Sequence, residues 1–230
     1  RTSNVRVFQS VVTKKMVELK DTIQVSKPQN WTLATPTQRR KWLVRAKELV
    51  LQHGSHCPLT FTLTSSTKLS LRGNNGTGKS SLLKTLLGTL PRTSGELMCN
   101  CEFFYLDQHF SDFDTNVSAL DYLSQHCSHL DSSFARTLLA NIGLRGDFVY
   151  RPVKCLSGGE KVKLALLIAN NQKQFNVLLL DEPDNHLDLD SKAHLAKALS
   201  EYPSAFIMVS HDEDFVADSG VTEAITISLN

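Results

Sequence analysis

Gly73-Asn74-Asn75-Gly76-Thr77-Gly78-Lys79-Ser80 is the stretch on which the reading of this 230-residue chain turns. It follows an apolar, strand-like run, Leu69 to Leu71, and precedes a helical pattern, Ser80 to Leu87. The spacing matches G-x-x-x-x-G-K-[ST]. In that pattern glycines let backbone N–H groups wrap a phosphate, a helix N-terminus faces the negative charge, a lysine reaches the outer phosphates and a hydroxyl serves magnesium. Lys79 and Ser80 take the last two roles, with Ser81 beside them.

A second element answers the first. Val177 to Leu180 is an apolar run that ends in Asp181-Glu182, which is how a buried parallel strand delivers carboxylates to the edge of a sheet beside a phosphate site. Asp181 is placed to hold magnesium, and Glu182 to orient and deprotonate an attacking water. Two acids after a hydrophobic run would otherwise be a solvated strand end; the phosphate loop in the same chain favours the catalytic reading.

Around these motifs the pattern is α/β. Leu49 to Leu51, Leu59 to Leu63 and Lys68 to Leu71 read as strands joined by tight turns, and Cys99 to Leu106 as a hairpin. Asp131 to Ile142 reads as a helix ended by Gly143, and Ser157 to Ala169 and Ser191 to Leu199 as helices. Val177 to Leu180 and Ala205 to Val209 read as strands buried on both faces. Apolar positions at Val5, Phe8, Val12, Met16, Leu19 and Ile23 recur at spacings of three and four, the stripe of an amphipathic helix. Pro28 and Pro36 then bracket a connector.

With 41% hydrophobic residues the chain has enough apolar side chains for a sizeable core, and no apolar run approaches the length of a membrane span. The five cysteines lack C-x-x-C pairing, so neither a disulfide framework nor a zinc site is expected, and a cytoplasmic location fits. The net charge of +2 conceals an asymmetry. Residues 1–50 hold 11 Lys+Arg against 3 Asp+Glu, while residues 51–230 hold 14 against 20. A basic segment on an acidic body suggests an acidic partner such as nucleic acid.

Leu156-Ser157-Gly158-Gly159-Glu160-Lys161, ahead of Asp181-Glu182, resembles the signature motif and Walker B strand of an ATP-binding cassette (ABC) ATPase. Gln108, in Tyr105-Leu106-Asp107-Gln108, resembles the Q-loop; Leu187-Asp188 the D-loop; His211, in Val209-Ser210-His211-Asp212, the switch histidine. Asp181-Glu182-Pro183-Asp184-Asn185-His186-Leu187-Asp188 is similar to the DEPTNHLD string of the ABC-F proteins, with Asp184 in place of the threonine. The interval from Lys79 to Ser157 is also short for a transporter cassette.

The resemblance implies a P-loop NTPase of ABC type, with an antiparallel β subdomain and a short helical subdomain, over residues 42–230. ATP and Mg2+ are the implied cofactors. Glu182, His211 and Gln108 are the implied catalytic residues, with Ser80, Gln108 and Asp181 at the metal. His53 stands where an aromatic usually stacks on adenine, and its smaller ring leaves ATP over GTP resting on the resemblance alone. Ser157, Gly158, Gly159, Glu160 and Asp188 would serve a nucleotide held by an opposite cassette. Residues 1–27 resemble the end of an interdomain linker helix and 28–41 its connector, within a longer tandem-cassette protein. ABC-F linkers reach tRNA and ribosomal RNA, so the expected partners are a second cassette and the ribosome, with the role in translation or in ribosome protection against an antibiotic. The energy-coupling subunit of an ABC transporter is the alternative. Arg72 before Gly73, and the absence of glycine from the turn Thr64 to Thr67, also depart from the family.

Overall fold

The computed structural model describes residues 42–172, 175–185 and 187–229. The expected linker helix (1–27) and connector (28–41) lie outside them.

Two sheets stack in the described region. An antiparallel sheet has strand order β2-β1-β4, from β1 (Trp42–Leu51), β2 (Leu59–Thr64) and β4 (Arg92–Cys99). A five-stranded parallel sheet runs β5-β6-β7-β3-β8, from β3 (Lys68–Arg72), β5 (Glu102–Leu106), β6 (Phe175–Asp181), β7 (Ala205–Val209) and β8 (Glu223–Thr226). The α-helices among the described residues are α1 (Lys79–Leu86), α2 (Ala119–His126), α3 (Ser132–Asn141), α4 (Gly158–Asn171), α5 (Leu189–Ser200) and α6 (Glu213–Asp218).

The side chains of β6 explain the layering. Successive residues of a strand face opposite sides, and here both sides are apolar. Val177 and Leu179 pack with Leu82, Leu83 and Leu86 of α1 and with the antiparallel sheet. Leu178 and Leu180 pack into a second cluster with α2 to α6. All four are buried, as a central parallel strand between two layers requires.

Several helix ends match their sequence signals. Asp131 caps α3 by accepting from Phe134 N–H at 2.8 Å, and Gly143, at φ +103°, follows the end of that helix. Ser157 and Glu160 form a reciprocal capping box at the start of α4.

Two readings are corrected. The stretch Cys99 to Leu106 is not a hairpin: β4 pairs antiparallel with β1, whereas β5 pairs parallel with β6, so the turn between them passes from one sheet to the other. The strand expected at Lys68 to Leu71 is present and joined to β2 by a tight turn, and it pairs in the parallel sheet. The segment Leu49 to Leu51 is only the end of a ten-residue strand, whose alternation is broken by register shifts at Trp42/Val44 and at Ala46/Leu49, where Glu48 sits at φ +49° in a bulge facing Gly95. Helix α2, strand β8 and helix α6 were not anticipated from the sequence. The turn without glycine is built by hydroxyls instead: Thr64 N–H donates to Thr67 Oγ1 at 3.1 Å and Thr67 N–H to Thr64 O at 3.2 Å.

Because Leu179 is wholly buried between the sheets, Leu179→Ala should destabilise the fold by about 2–5 kcal/mol, read as a lower urea midpoint at unchanged slope.

Candidate nucleotide site

The phosphate loop joins β3 to α1. Asn74, Asn75 and Gly76 are exposed at its rim, while Thr77 is buried and its hydroxyl donates to Asn74 O at 2.9 Å. Lys79, nearly buried, curls back over the loop and donates from Nζ to Gly73 O at 2.8 Å and to Asn74 O at 3.0 Å. Ser80 is exposed and Ser81 half-buried in the first turn of α1. The loop after β1 braces this cradle. Ser55 N–H donates to Thr77 O at 2.8 Å, and a Cβ on Gly54, at φ +95°, would fall 2.5 Å from Gly78 Cα. A Cβ on Gly78, at φ +106°, would fall 2.8 Å from His53 O. Thus His53, itself exposed, stands with its backbone carbonyl close against the loop that Ser55 holds.

The carboxylates arrive from β6, which β7 separates from β3 in the sheet. Asp181 is buried and accepts from Ser80 Oγ and from Tyr105 OH, each at 3.3 Å. Burial pushes its carboxyl above the ordinary value, and the two hydroxyl contacts oppose that shift without cancelling it. Burial, with Asp181 beside it, likewise raises the Tyr105 phenol, which keeps it a donor. Tyr105 was missed in the sequence; its place in β5, opposite Leu179 of β6, was the available signal once those strands were paired.

Glu182 follows at φ +52°, a backbone form unusual for a side-chain-bearing residue. Its N–H donates to Val209 O at 2.9 Å. Asn185 Nδ2 donates to Glu182 Oε2, and His211 Nε2 stands 3.5 Å from Oε1. The Glu182 carboxylate is therefore held from two sides. Gln108 lies half-buried in the turn after β5, at the same end of the sheet, and has no hydrogen bond to Ser80, Asp181 or Glu182. On β5, Tyr105 makes the contact with Asp181 instead.

A second group stands apart. Ser157, exposed, caps α4; Gly158 and Gly159 open that helix, and Glu160 Oε2 accepts from Ser157 N–H at 2.8 Å. A Cβ on Gly159 would fall 3.1 Å from Ser191 Oγ, so α4 and α5 start in close contact. Asp188 caps α5 by accepting from Ser191 N–H at 2.7 Å, and its hydrogen bonds with Ser191 hold its exposed carboxyl below the ordinary range. Among the described residues no hydrogen bond or ion pair links this group to Lys79, Ser80, Asp181 or Glu182.

The donors suit a nucleotide with magnesium. Glycine backbone, a lysine and a helix start meet a polyphosphate. Ser80 and Asp181 offer only oxygen ligands and too few to enclose a cation, which fits an ion that keeps waters and phosphate oxygens in its shell. No cluster of three or more His, Cys, Asp or Glu that could hold a metal by itself occurs among the described residues.

Residues 57–185 match the family described as ABC transporter, and the chain belongs to this ATP-binding cassette family. It is an ABC ATPase domain. Its relatives include the ATP-binding protein YdiF of Bacillus subtilis, 41% identical over 76% of this chain and 28% of that protein. YheS of Escherichia coli K12 is 33% identical over 86% of this chain and 32% of that protein. Mouse ATP-binding cassette sub-family F member 3 is 34% identical over 72% and 24%. The chain spans about a quarter to a third of the length of these curated relatives. Among solved structures, a dimeric ATP-binding cassette in a post-hydrolysis state with ADP and Pi has TM-score 0.66 at 16% identity, covering 82% of this chain and 97% of that one. The RNase-L inhibitor has TM-score 0.66 at 23% identity, covering 83% and 38%. At these identities the likeness is one of fold. The expected cassette fold and the resemblance to ABC-F relatives are both borne out.

Two outcomes follow. Gly54→Ala should weaken ATP binding roughly tenfold by displacing the phosphate loop, a forced shift of this kind costing about 1–3 kcal/mol; titration with a fluorescent ATP analogue checks it. For Asp181 the raised pKa means that folding favours the protonated acid. That contribution is complete below the ordinary carboxylate range and lost as pH rises through the raised value. The charged carboxylate therefore costs stability at neutral pH. Asp181→Asn should melt at a higher temperature than wild type at pH 7 without nucleotide, with the difference shrinking in acid.

Proposed function

We propose that this cassette hydrolyses ATP with magnesium, working face to face with a second cassette, and that the intact protein acts on the ribosome. The observation that carries the hydrolytic part is the Glu182 carboxylate, held between Asn185 and His211 one residue beyond the buried Asp181. Gly73 to Ser81 would cradle the phosphates, with Lys79 at the outer ones and His53 against the base. Ser80, Asp181 and Gln108 would hold magnesium, which when bound offsets negative charge on the phosphates.

In the reaction so read, Glu182 accepts a proton from the water whose oxygen attacks the γ-phosphorus. The bond from that phosphorus to the bridging oxygen breaks, and ADP leaves with inorganic phosphate. His211 orients the attacking water and Glu182. General-base catalysis contributes about 10²–10⁴-fold. Ser157, Gly158, Gly159, Glu160 and Asp188 would face the nucleotide of the opposite cassette, the α4 N-terminus presenting N–H groups to its γ-phosphate. One cassette is then half of two sites, and ATP closes the pair while hydrolysis reopens it.

Support for the ribosomal part is the sub-family F relative, the similarity to DEPTNHLD and the basic segment of residues 1–50. Lys14, Lys15, Lys20, Arg39, Arg40 and Lys41 would approach RNA phosphates. Among the described residues no helix is long and apolar enough to cross a membrane. A cytoplasmic location and a place for this cassette as the second of two in one polypeptide complete the reading.

Glu182→Gln in the intact protein should abolish turnover while retaining ATP, and should sediment with ribosomes in ATP more completely than wild type. Unchanged turnover would remove Glu182 as the base. Retention on a membrane protein in place of ribosomes would favour the transporter reading.

A further inference from the structure

The residue by which this chain departs from DEPTNHLD joins a network of its own. Asp184 is 3% exposed; its Oδ2 stands 3.6 Å from Lys192 Nζ, and its Oδ1 is buried without a hydrogen-bond partner. Lys192, on α5, also donates to Asp212 Oδ2 at 2.8 Å. The other oxygen of Asp212 caps α6 by accepting from Phe215 N–H at 3.0 Å, and Asp212 N–H donates to Ser210 Oγ at 3.1 Å. One ammonium thus bridges carboxylates from two loops. Asp184 lies two residues after Glu182, and Asp212 follows His211 directly.

A buried, half-satisfied carboxylate is costly unless a cation stands beside it. Asp184 therefore draws Lys192 to the point between the loops, while the well-bonded Asp212 anchors the far side. A neutral threonine at 184 would leave Lys192 paired with Asp212 alone and the two loops untied. The tie lies next to the place where His211 Nε2 meets Glu182 Oε1. None of the three residues reaches that contact itself.

We propose that Asp184, Lys192 and Asp212 form a positioning clamp that holds His211 against Glu182. The inference rests on the roles given above to Glu182 and His211.

Steady-state hydrolysis and thermal melting of the intact protein test it, with Lys192→Met, Lys192→Arg, the double variant Asp184→Thr/Lys192→Met, and Glu182→Gln. Lys192→Met should lower kcat about tenfold with KM for ATP within about twofold, the pattern of lost positioning rather than lost binding. Lys192→Arg, able to reach both carboxylates, should recover most of that loss. Removing the stranded charge, the double variant should melt like wild type yet stay slow. A double variant that melts and turns over like wild type overturns the clamp while leaving Glu182 as base. Wild-type turnover by Glu182→Gln overturns the assignment beneath it, and the clamp with it.

Discussion

The constraint on which the molecule depends is the burial of β6 on both faces up to its last residue, where apolar packing stops at a carboxylate. Leu178 and Leu180 belong to the helical side and Val177 and Leu179 to the side of the antiparallel sheet, so the strand cannot slide by one residue without exchanging its layers. Its end is therefore fixed in space. Asp181 is left in a dry position where charge is unfavourable, relieved only in part by Ser80 and Tyr105. A site with a surplus of poorly compensated negative charge is one that a cation stabilises, and a polyphosphate held at the adjacent loop brings further ligands for that cation.

Helix α5 connects the groups of chemically competent residues. At its start Asp188 faces outward as a cap, Ser191 lies where a Cβ on Gly159 of α4 would meet it, and Lys192 reaches back to the loops that bear Glu182 and His211. These contacts fall within five consecutive positions of the chain, 188 to 192. The exposed group at Ser157 and the internal group at Glu182 are thus neighbours through α5 although no hydrogen bond joins them directly.

Departures from the family pattern are absorbed locally. Thr64 and Thr67 close their turn with side-chain hydroxyls where glycine would use backbone freedom. Arg72 ends β3 with its side chain exposed. Asp184 is different in kind, because it adds a charge to a buried position and recruits a partner from another helix.

By itself the sequence determined the phosphate loop, the acid-ended strand, the helices that begin around Asp131 and Ser157, and the order of the cassette motifs. Each depends on residues within a few positions of one another, and hydrogen bonding to nearby backbone or alternation along one strand carries the information. Only the tertiary structure decided that Cys99 to Leu106 crosses between sheets, that Tyr105 rather than Gln108 touches Asp181, and that Lys192 serves two loops. Strand partners and long-range ion pairs depend on which segments the two core layers bring together, and a β-rich run looks the same in either sheet. The chemistry is written along the chain in short words, while their mutual geometry is set by burial, to which residues far apart in sequence contribute together.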